Sequence, residues 1–265
     1  MKQQEQSNMQ SAVNRIALKS ILHKEVHRFT RIWVQTLVPP AITISLYFVI
    51  FGSLIGSRIG EMGGIDYMSF IVPGLIMMSV ITNSYSNVAS SFFSAKWQRN
   101  VEEMLVAPVP NWVIVAGYVG GGMIRGMLVG LIVTIVSLLF VDLQIHNLWV
   151  IIATVCLTSA VFALGGLINA IFANSFDDIS IIPTFILTPL TYLGGVFYSI
   201  SLLPEFWQGV SQVNPIVYMV NAFRYGFLGI SDVSLTAAFL VLLTFVLVLY
   251  TIAMTLISKG IGLRS

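Results

Sequence analysis

The stretch 95-AKWQRNVEEMLVAPVP-110 places Lys96, Arg99, Glu102 and Glu103 within eight residues of a chain in which only 9% of residues are charged. Long apolar runs lie on both sides of it, and its last three residues include two prolines. Soluble domains carry roughly 25% charged residues, so a chain this apolar takes the bilayer as its natural solvent. We call residues 96–107 the charged island, and we predict a short helix there that the prolines end.

The apolar runs around the island predict an all-α integral membrane protein. A helix crosses the hydrocarbon core with about 20 apolar residues. Backbone groups in lipid must be satisfied internally, and strand-like alternation is absent from the sequence. Six spans are predicted, near residues 34–56, 67–92, 112–140, 148–173, 178–198 and 234–257.

Residues 199–229 precede the last span and are too apolar and aromatic for a solvated loop. Pro204 and Pro215 divide this stretch into pieces too short to span. We therefore predict a re-entrant pair of short helices that dips into the outer leaflet and returns.

The Lys and Arg residues set the predicted orientation. Ten of them lie at the two termini or in the island, whereas the alternate loops hold two. Because such residues concentrate on the cytoplasmic side, we expect both termini and the island to be cytoplasmic. Residues 1–11 are polar and predicted to be a disordered tail, and residues 12–265 form a single membrane domain.

Residues 12–33 read as an amphipathic helix in the membrane interface. Lys24, Arg28 and Arg31 share a face that would point toward anionic headgroups of membrane lipid. Two interpretations stay open. The helix is either a simple positively charged anchor, or a lever that also touches a cytoplasmic partner.

Arg125 lies inside the third predicted span, where an arginine is costly and marks a functional or paired position. Asp177 and Asp178, at the start of the fifth span, are candidate partners for Arg125 near a gate, or for the basic residues of the island. The alternative is a snorkelling side chain with a structural ion pair. The glycine-rich sequence around Arg125 would let a neighbouring helix approach closely. The small polar residues of the second span favour helix contact over a substrate-lining face.

Several function classes find no support in the sequence. The motif that cradles ATP phosphates is absent, so no nucleotide or other cofactor is expected on this chain. His23 and His27 are four residues apart, as in a metalloprotease site, but Glu25 lies two positions after His23 and not directly after it. Neither a metal site nor a catalytic constellation is predicted. The spans contain no mid-membrane carboxylate, which weakens an ion-coupled carrier. A net charge of +2 does not suggest nucleic-acid binding.

The island has the character of a docking element for a soluble partner. Its charged residues Lys96, Arg99, Glu102 and Glu103 would make polar contacts with that partner. Met104, Leu105 and Val106 would fill an apolar pocket on it. A plain polar turn would explain the charges but not this apolar segment.

Two motifs now carry a resemblance. The segments 99-RNVEEMLVAPV-109 and 214-NPIVYMVNAFR-224 are similar to those of the type-2 ABC transporter permeases, and the order of spans also agrees. The segments 31-RIWVQTLVPPAITISLYFVIFG-52 and 176-FDDISIIPTFILTPLTYLGGVFYS-199 resemble the YadH-like branch of that family. The resemblance covers the chain from residue 13 onward.

The resemblance implies the permease subunit of an exporter in the bacterial inner membrane, which is not itself an enzyme. The island becomes a coupling helix seated on a separate ABC ATPase subunit, and residues 12–33 become a connecting helix. Asn214, Pro215 and Arg224 match the family motif in the re-entrant region.

The resemblance also implies an assembly of two copies of this chain and two ATPase subunits, with ATP and magnesium on the latter. An amphipathic, lipid-linked or glycan-like substrate would pass between the two permeases. Aromatic residues are candidates for a glycan-binding belt, namely Tyr85, Phe92, Phe93, Tyr192, Phe197 and Tyr198. The alternative is an assembly protein that recruits the ATPase without transport.

Overall fold

The computed structural model describes residues 2–62 and 64–263 of the chain. The helices are α1 (Lys2–Arg31), α2 (Trp33–Thr36), α3 (Val38–Tyr47), α4 (Ser57–Ile59), α5 (Tyr67–Trp97), α6 (Asn100–Val106), α7 (Asn111–Ser137), α8 (Leu148–Phe172), α9 (Asp178–Ile182), α10 (Thr188–Tyr192), α11 (Glu205–Val213), α12 (Pro215–Leu228) and α13 (Leu235–Lys259). Turns of π-helix at Phe48–Gly56 and Pro183–Leu187 and a 3₁₀ turn at Ile200–Leu202 join some of them. Two short antiparallel strands, β1 (Glu61–Met62) and β2 (Ile65–Asp66), form a hairpin before α5.

Among the described residues, five helical segments are long and apolar enough to cross a membrane. They correspond to the first, second, third, fourth and sixth predicted spans. They are Trp33–Gly52, Tyr67–Trp97, Asn111–Ser137, Leu148–Phe172 and Leu235–Lys259. The mainly helical architecture agrees with the predicted class.

The fifth predicted span is shorter than expected. Residues 178–192 form three consecutive five-residue pieces, which reach roughly 22 Å at 1.5 Å per residue. Proline opens the π-helical turn at Pro183, and Gly195 then adopts a left-handed φ of 73°. The segment still runs from the carboxyl end of α8 toward the amino end of α5, where Val196 packs against Gly74. The fifth predicted span, and with it the total of six, therefore remains a prediction.

The first helix is longer than the sequence analysis predicted. Helix α1 begins at Lys2, so residues 2–11, for which disorder was expected, are helical. Met1 lies outside the described residues. The segment lacks glycine and proline and is rich in glutamine, which has a good helix propensity. The predicted tail and connecting helix are thus one continuous element.

Helix α5 is the centre of the bundle and packs against α7, α8 and α12. The glycines of α7 bring two other helices close, as the sequence predicted. A side chain on Gly121 would collide with Glu25 of α1, and one on Gly126 would collide with Ser84 of α5. Helix α7 therefore holds α1 on one face and α5 on another.

Candidate coupling surface and buried polar cluster

The charged island folds as the end of α5, a tight reversal and the short helix α6. Arg99 makes the reversal with φ of 60° and ψ of 9°, a left-handed conformation that non-glycine residues seldom adopt. Helix α6 ends at Val106, because Ala107 is extended and Pro108 has no N–H to continue the helix. A short helix therefore occupies the predicted position, with α5 supplying its first residues.

One face of the island is exposed. Glu102, Glu103 and Val106 are accessible, and their spacing of three and four residues places them on one side of α6, while Arg99 is exposed in the reversal directly before it. The side chain of Val106 is 88% exposed. We call these four residues the coupling surface.

The opposite face of α6 packs on the chain itself. Val101 is buried, and Met104 and Leu105 are half-buried against the core that includes Tyr118. Sequence analysis assigned Met104 and Leu105 to a partner's pocket, but the structure places both against this core. Only Val106 of that apolar trio presents most of its surface outward.

Lys96 also has a role that the sequence analysis did not predict. Its ammonium group donates hydrogen bonds to the carbonyl oxygens of Ile171 at 2.6 Å and Ala173 at 2.8 Å. Those carbonyls end α8, where a cation is favourable. Lys96 therefore joins α5 to α8 and holds the base of the coupling surface in place.

Helix α1 contacts both the island and the interior. Near its start, the Gln10 side chain donates to the carbonyl oxygen of Pro108 at 3.3 Å, just beyond α6. Further along, Ile21 and Glu25 pack into the glycine face of α7. The predicted connecting helix is thus seated on the bundle.

The basic face predicted for α1 divides in the structure. Lys24 and Arg31 are exposed, and the Lys24 ammonium lies 5.8 Å from the centre of the Tyr118 ring. Arg28 instead turns inward. Its guanidinium donates to the side-chain oxygen of Asn87 at 2.8 Å and to the Asn87 carbonyl oxygen at 2.9 Å. A purely headgroup-facing role therefore does not hold for Arg28.

Arg28 belongs to a polar cluster between three helices. We use polar cluster for Glu25 and Arg28 of α1, Asn83, Asn87 and Ser91 of α5, and Arg125 of α7. The Ser91 hydroxyl donates to Glu25 at 2.5 Å, and the Arg28 guanidinium lies 3.7 Å from the same carboxylate. Arg125 donates to Asn83 at 3.1 Å and to Asn87 at 3.4 Å.

Arg125 therefore has partners other than the predicted ones. Its hydrogen bonds go to two asparagine amides of the adjacent helix. Asp178 instead accepts hydrogen bonds from the backbone N–H groups of Asn174 and Ser175, at 2.8 and 3.1 Å, and Asp177 is exposed. Asp178 therefore stabilises its own loop, and Asp177 flanks that loop.

Glu25 is the carboxylate of the cluster and is fully buried. Burial raises the pKa of its carboxyl group, while the Ser91 hydrogen bond and the charge of Arg28 act in the opposite direction. Of the two guanidinium groups in the cluster, that of Arg28 contacts the Glu25 carboxylate, whereas that of Arg125 bonds to Asn83 and Asn87.

The predicted re-entrant region is fixed by its motif residues. Asn214 caps α12, whose first residue is Pro215, by accepting from the Ile216 N–H at 3.0 Å, and it donates to the Leu190 carbonyl at 2.7 Å. Arg224 is buried and donates to the Gly195 carbonyl at 2.6 Å, with its guanidinium carbon 3.9 Å from the centre of a phenylalanine ring of α5. These contacts tie α12 to the fifth predicted span and to α5.

Sequence reasoning missed four members of the polar cluster: Glu25, Asn83, Asn87 and Ser91. The spacing of Asn83, Asn87 and Ser91 by four residues was a usable signal, because it places three polar groups on one face of an apolar helix. Glu25 was the single acidic residue of the predicted basic helix at residues 12–33, three positions before Arg28.

Among residues 2–62 and 64–263, no group of three His, Cys, Asp or Glu side chains could hold a metal ion. His23 and His27 are exposed on α1, with ring centres 6.0 Å apart. The described residues thus form a mainly helical protein with helices that could cross a membrane, an exposed charged surface at α6 and an internal polar cluster.

Comparison with known proteins identifies this class. Residues 16–228 match the family model of the ABC-2 type transporter. The chain belongs to this family.

Two related proteins show which members of the family this chain resembles. The chain is 66% identical over 251 residues to the inner membrane transport permease YadH of Escherichia coli K12, covering 94% of this chain and 98% of the relative. It is 24% identical over 185 residues to nodulation protein J of Rhizobium leguminosarum bv. trifolii, covering 69% of this chain and 71% of that protein. Both the family and the YadH-like branch named from the sequence are confirmed.

Proposed function

We propose that this chain is the permease subunit of an ATP-binding cassette exporter. Two copies would form the pathway for an amphipathic, lipid-linked or glycan-like substrate, and two copies of a separate ATPase subunit would drive it. ATP and magnesium would bind to that partner. The exposed face of α6 is the single observation that carries the proposal.

The coupling surface has the properties of a docking site. It combines one positive side chain in the reversal with two negative side chains and a largely exposed valine on one face of α6. Side chains of both signs define the register of a partner more than they add affinity. The Lys96 contacts to α8 and the Gln10 contact to Pro108 fix the position of this face relative to the bundle. A force applied to α6 would therefore be transmitted to several helices.

A second face supports the pairing of two permeases. Helix α5 is largely buried, yet Thr82 is exposed near its middle and Met78 and Ser86 beside it are half-buried. These three residues and Tyr192 line a small cavity of about 60 Å³. Hydroxyl groups exposed at this depth favour a protein or polar pathway over lipid. We assign this face to the pathway between the two copies.

The aromatic candidates divide between the core and this face. Tyr85, Phe92 and Phe93 are buried inside the subunit, so they do not line its surface. Tyr192 is exposed, and its ring centre lies 5.9 Å from that of Phe197. Phe197 also packs against Phe51 at 4.9 Å, and Tyr198 is partly exposed. An aromatic group beside hydroxyl groups suits an amphipathic substrate.

We place the protein in the bacterial inner membrane, because its E. coli relative is an inner membrane transport permease. The excess of Lys and Arg at both ends and in the island supports cytoplasmic termini. The ATPase would then meet the coupling surface in the cytoplasm.

The proposal is tested by reversing the charges of the coupling surface. The double variant Glu102→Lys/Glu103→Lys is co-expressed with the tagged ATPase subunit, and the amount of permease that co-purifies is measured. We expect a loss of about tenfold or more, which corresponds to about 1.4 kcal/mol, because the new lysines would face positive groups of the partner and like charges at an interface repel. ATP hydrolysis by any remaining complex should no longer respond to substrate.

A matched control places the same charge change elsewhere. Glu61→Lys/Glu205→Lys also adds two lysines, at exposed positions of the predicted outer side. This control should co-purify like the parent chain. Equal recovery of the coupling variant and this control, with normal stimulation of hydrolysis, contradicts the assignment of α6.

A further inference from the structure

A cavity of about 280 Å³ lies between the α2–α3 segment and α5, and Arg125 forms part of its wall. Gln35 and Thr43 line it from one side, and Thr82 and Asn83 line it from the other. The rest of the lining is largely apolar and includes prolines of α3 and Met78 of α5. Because polar groups are expensive at a lipid-facing surface, a cavity with a polar part beside Arg125 and an apolar remainder suits an amphipath better than a hydrocarbon chain alone.

The charges around the cavity are unbalanced. Arg28 and Arg125 both donate to the side-chain oxygen of Asn87, which brings two guanidinium groups to one acceptor. Within the part of the chain that the structure describes, the ion pair of the polar cluster joins the Glu25 carboxylate to the Arg28 guanidinium. The hydrogen bonds of Arg125 go to neutral amides. An anion entering the cavity would neutralise Arg125.

The size of the cavity limits the ligand. Ligand pockets for small molecules measure about 300–1,000 Å³, so 280 Å³ admits a headgroup but not a whole lipid. Thr43 is exposed at its edge, and the neighbouring Ile42 and Leu46 are exposed apolar side chains of α3. Acyl chains could lie along that apolar surface while the polar group enters between the helices.

The position of the cavity agrees with a headgroup. It begins beside Gln35, two residues after Trp33, an exposed tryptophan of the type that marks membrane interfaces. It ends at Arg125, and a guanidinium group pairs well with phosphate because of its planar donors.

We propose that this cavity binds the phosphate group of an anionic membrane amphipath, with Arg125 as its ionic partner. Asn83, Thr82 and Gln35 supply polar groups around the phosphate. The molecule is either a resident phospholipid or the transported amphipath itself. The inference goes beyond the proposed function, because the isolated chain binds the phosphate without the ATPase.

The test uses the purified chain in detergent with added phosphatidylglycerol or with diacylglycerol, which lacks the phosphate. Bound lipid is counted by native mass spectrometry, and melting temperature is measured in parallel. We expect phosphatidylglycerol to bind and raise the melting temperature, and diacylglycerol to do so at least about tenfold more weakly, as expected for loss of a charge-assisted contact. Equal binding of the two lipids overturns the proposal.

Variants locate the site. Arg125→Gln should abolish the preference for phosphatidylglycerol. Thr43→Phe fills the mouth of the cavity and leaves the polar cluster unchanged, so it remains informative if Arg125→Gln fails to fold. Ile42→Phe adds the same ring one position away, outside the cavity, and should keep the preference. An unchanged preference in Thr43→Phe overturns the site.

A second arm distinguishes the two sources. The complex with the ATPase is placed in vesicles of phosphatidylcholine with 20% phosphatidylglycerol, and ATP and magnesium are added. Phospholipid that stays bound during turnover is resident, whereas phospholipid lost only during turnover is transported. Failure of the ATPase to associate would refute the proposed function and leave the binding result on the isolated chain intact.

Discussion

Alanine at Gly121 should separate α1 from α7, whereas alanine at the adjacent Gly120 should not. A Cβ atom at position 121 would lie 2.5 Å from the Cβ and 2.9 Å from the Cγ of Glu25. These atoms are close to the backbone of α1, and the Glu25 carboxylate is bound by Ser91. A Cβ atom at position 120 would lie 2.7 Å from a terminal methyl of Leu22, with the next atom at 3.9 Å. That methyl group can rotate away.

The sizes of the opposing effects decide whether each alanine raises or lowers the stability of the fold. Replacing glycine by alanine inside a helix contributes about 0.8–1.0 kcal/mol of stability. Overpacking a core costs about 1–3 kcal/mol, and loss of a hydrogen bond to a charged group costs about 1.5–3 kcal/mol. At Gly120 the gain in helix propensity equals or exceeds the cost of overpacking. At Gly121 both costs apply, so we expect a net loss of about 1.5–5 kcal/mol.

Paired thermal unfolding of the two variants in one detergent measures this difference. Gly120→Ala should melt at or above the parental temperature and Gly121→Ala below it. Substrate-dependent ATP hydrolysis of the assembled complex should fall in Gly121→Ala alone. The packing argument is wrong if the two variants melt together, or if Gly121→Ala is the more stable.

Two further predictions concern charge and topology. Burial raises the pKa of the Glu25 carboxyl group, so the folded chain holds this proton more tightly than the unfolded chain. The contribution of Glu25 to stability is therefore greatest at low pH and falls as pH rises through the folded-state pKa. Glu25→Gln should flatten the dependence of the melting temperature on pH between pH 5 and 8, and an unchanged slope refutes the assignment. The topology is tested with single cysteines in a Cys156→Ser background. An impermeant thiol reagent should label Glu61→Cys in sealed cells and should not label Asn174→Cys. The reverse result would invert the proposed orientation.

The spans were predictable because the cost of backbone polar groups in lipid depends on the composition and length of a run. The run from Asn111 to Ser137 was identified within a few residues despite Arg125. The fifth segment was not, because Pro183 and a left-handed Gly195 shorten it, and composition does not register either effect.

The orientation of individual side chains was less predictable. Met104 and Val106 are both apolar residues of α6, yet one packs near Tyr118 and the other is exposed. That difference depends on how α6 lies against the bundle, which is tertiary information. Lys96 illustrates the same limit, because its partners are backbone carbonyls about 75 residues away, and carbonyls carry no sequence signal.

The polar cluster also determines which helices move together. Glu25 of α1 is buried and held by Ser91 of α5 and by Arg28. Removing a partner from a buried charge costs about 3–5 kcal/mol, so α1 cannot leave α5 during transport without a large penalty. Because Gln10 joins the same α1 to the end of the island, displacement of α6 by the ATPase should carry α1 and α5 as one unit. Arg125 and its cavity lie at the far end of that unit, where such a movement would change the environment of a bound phosphate.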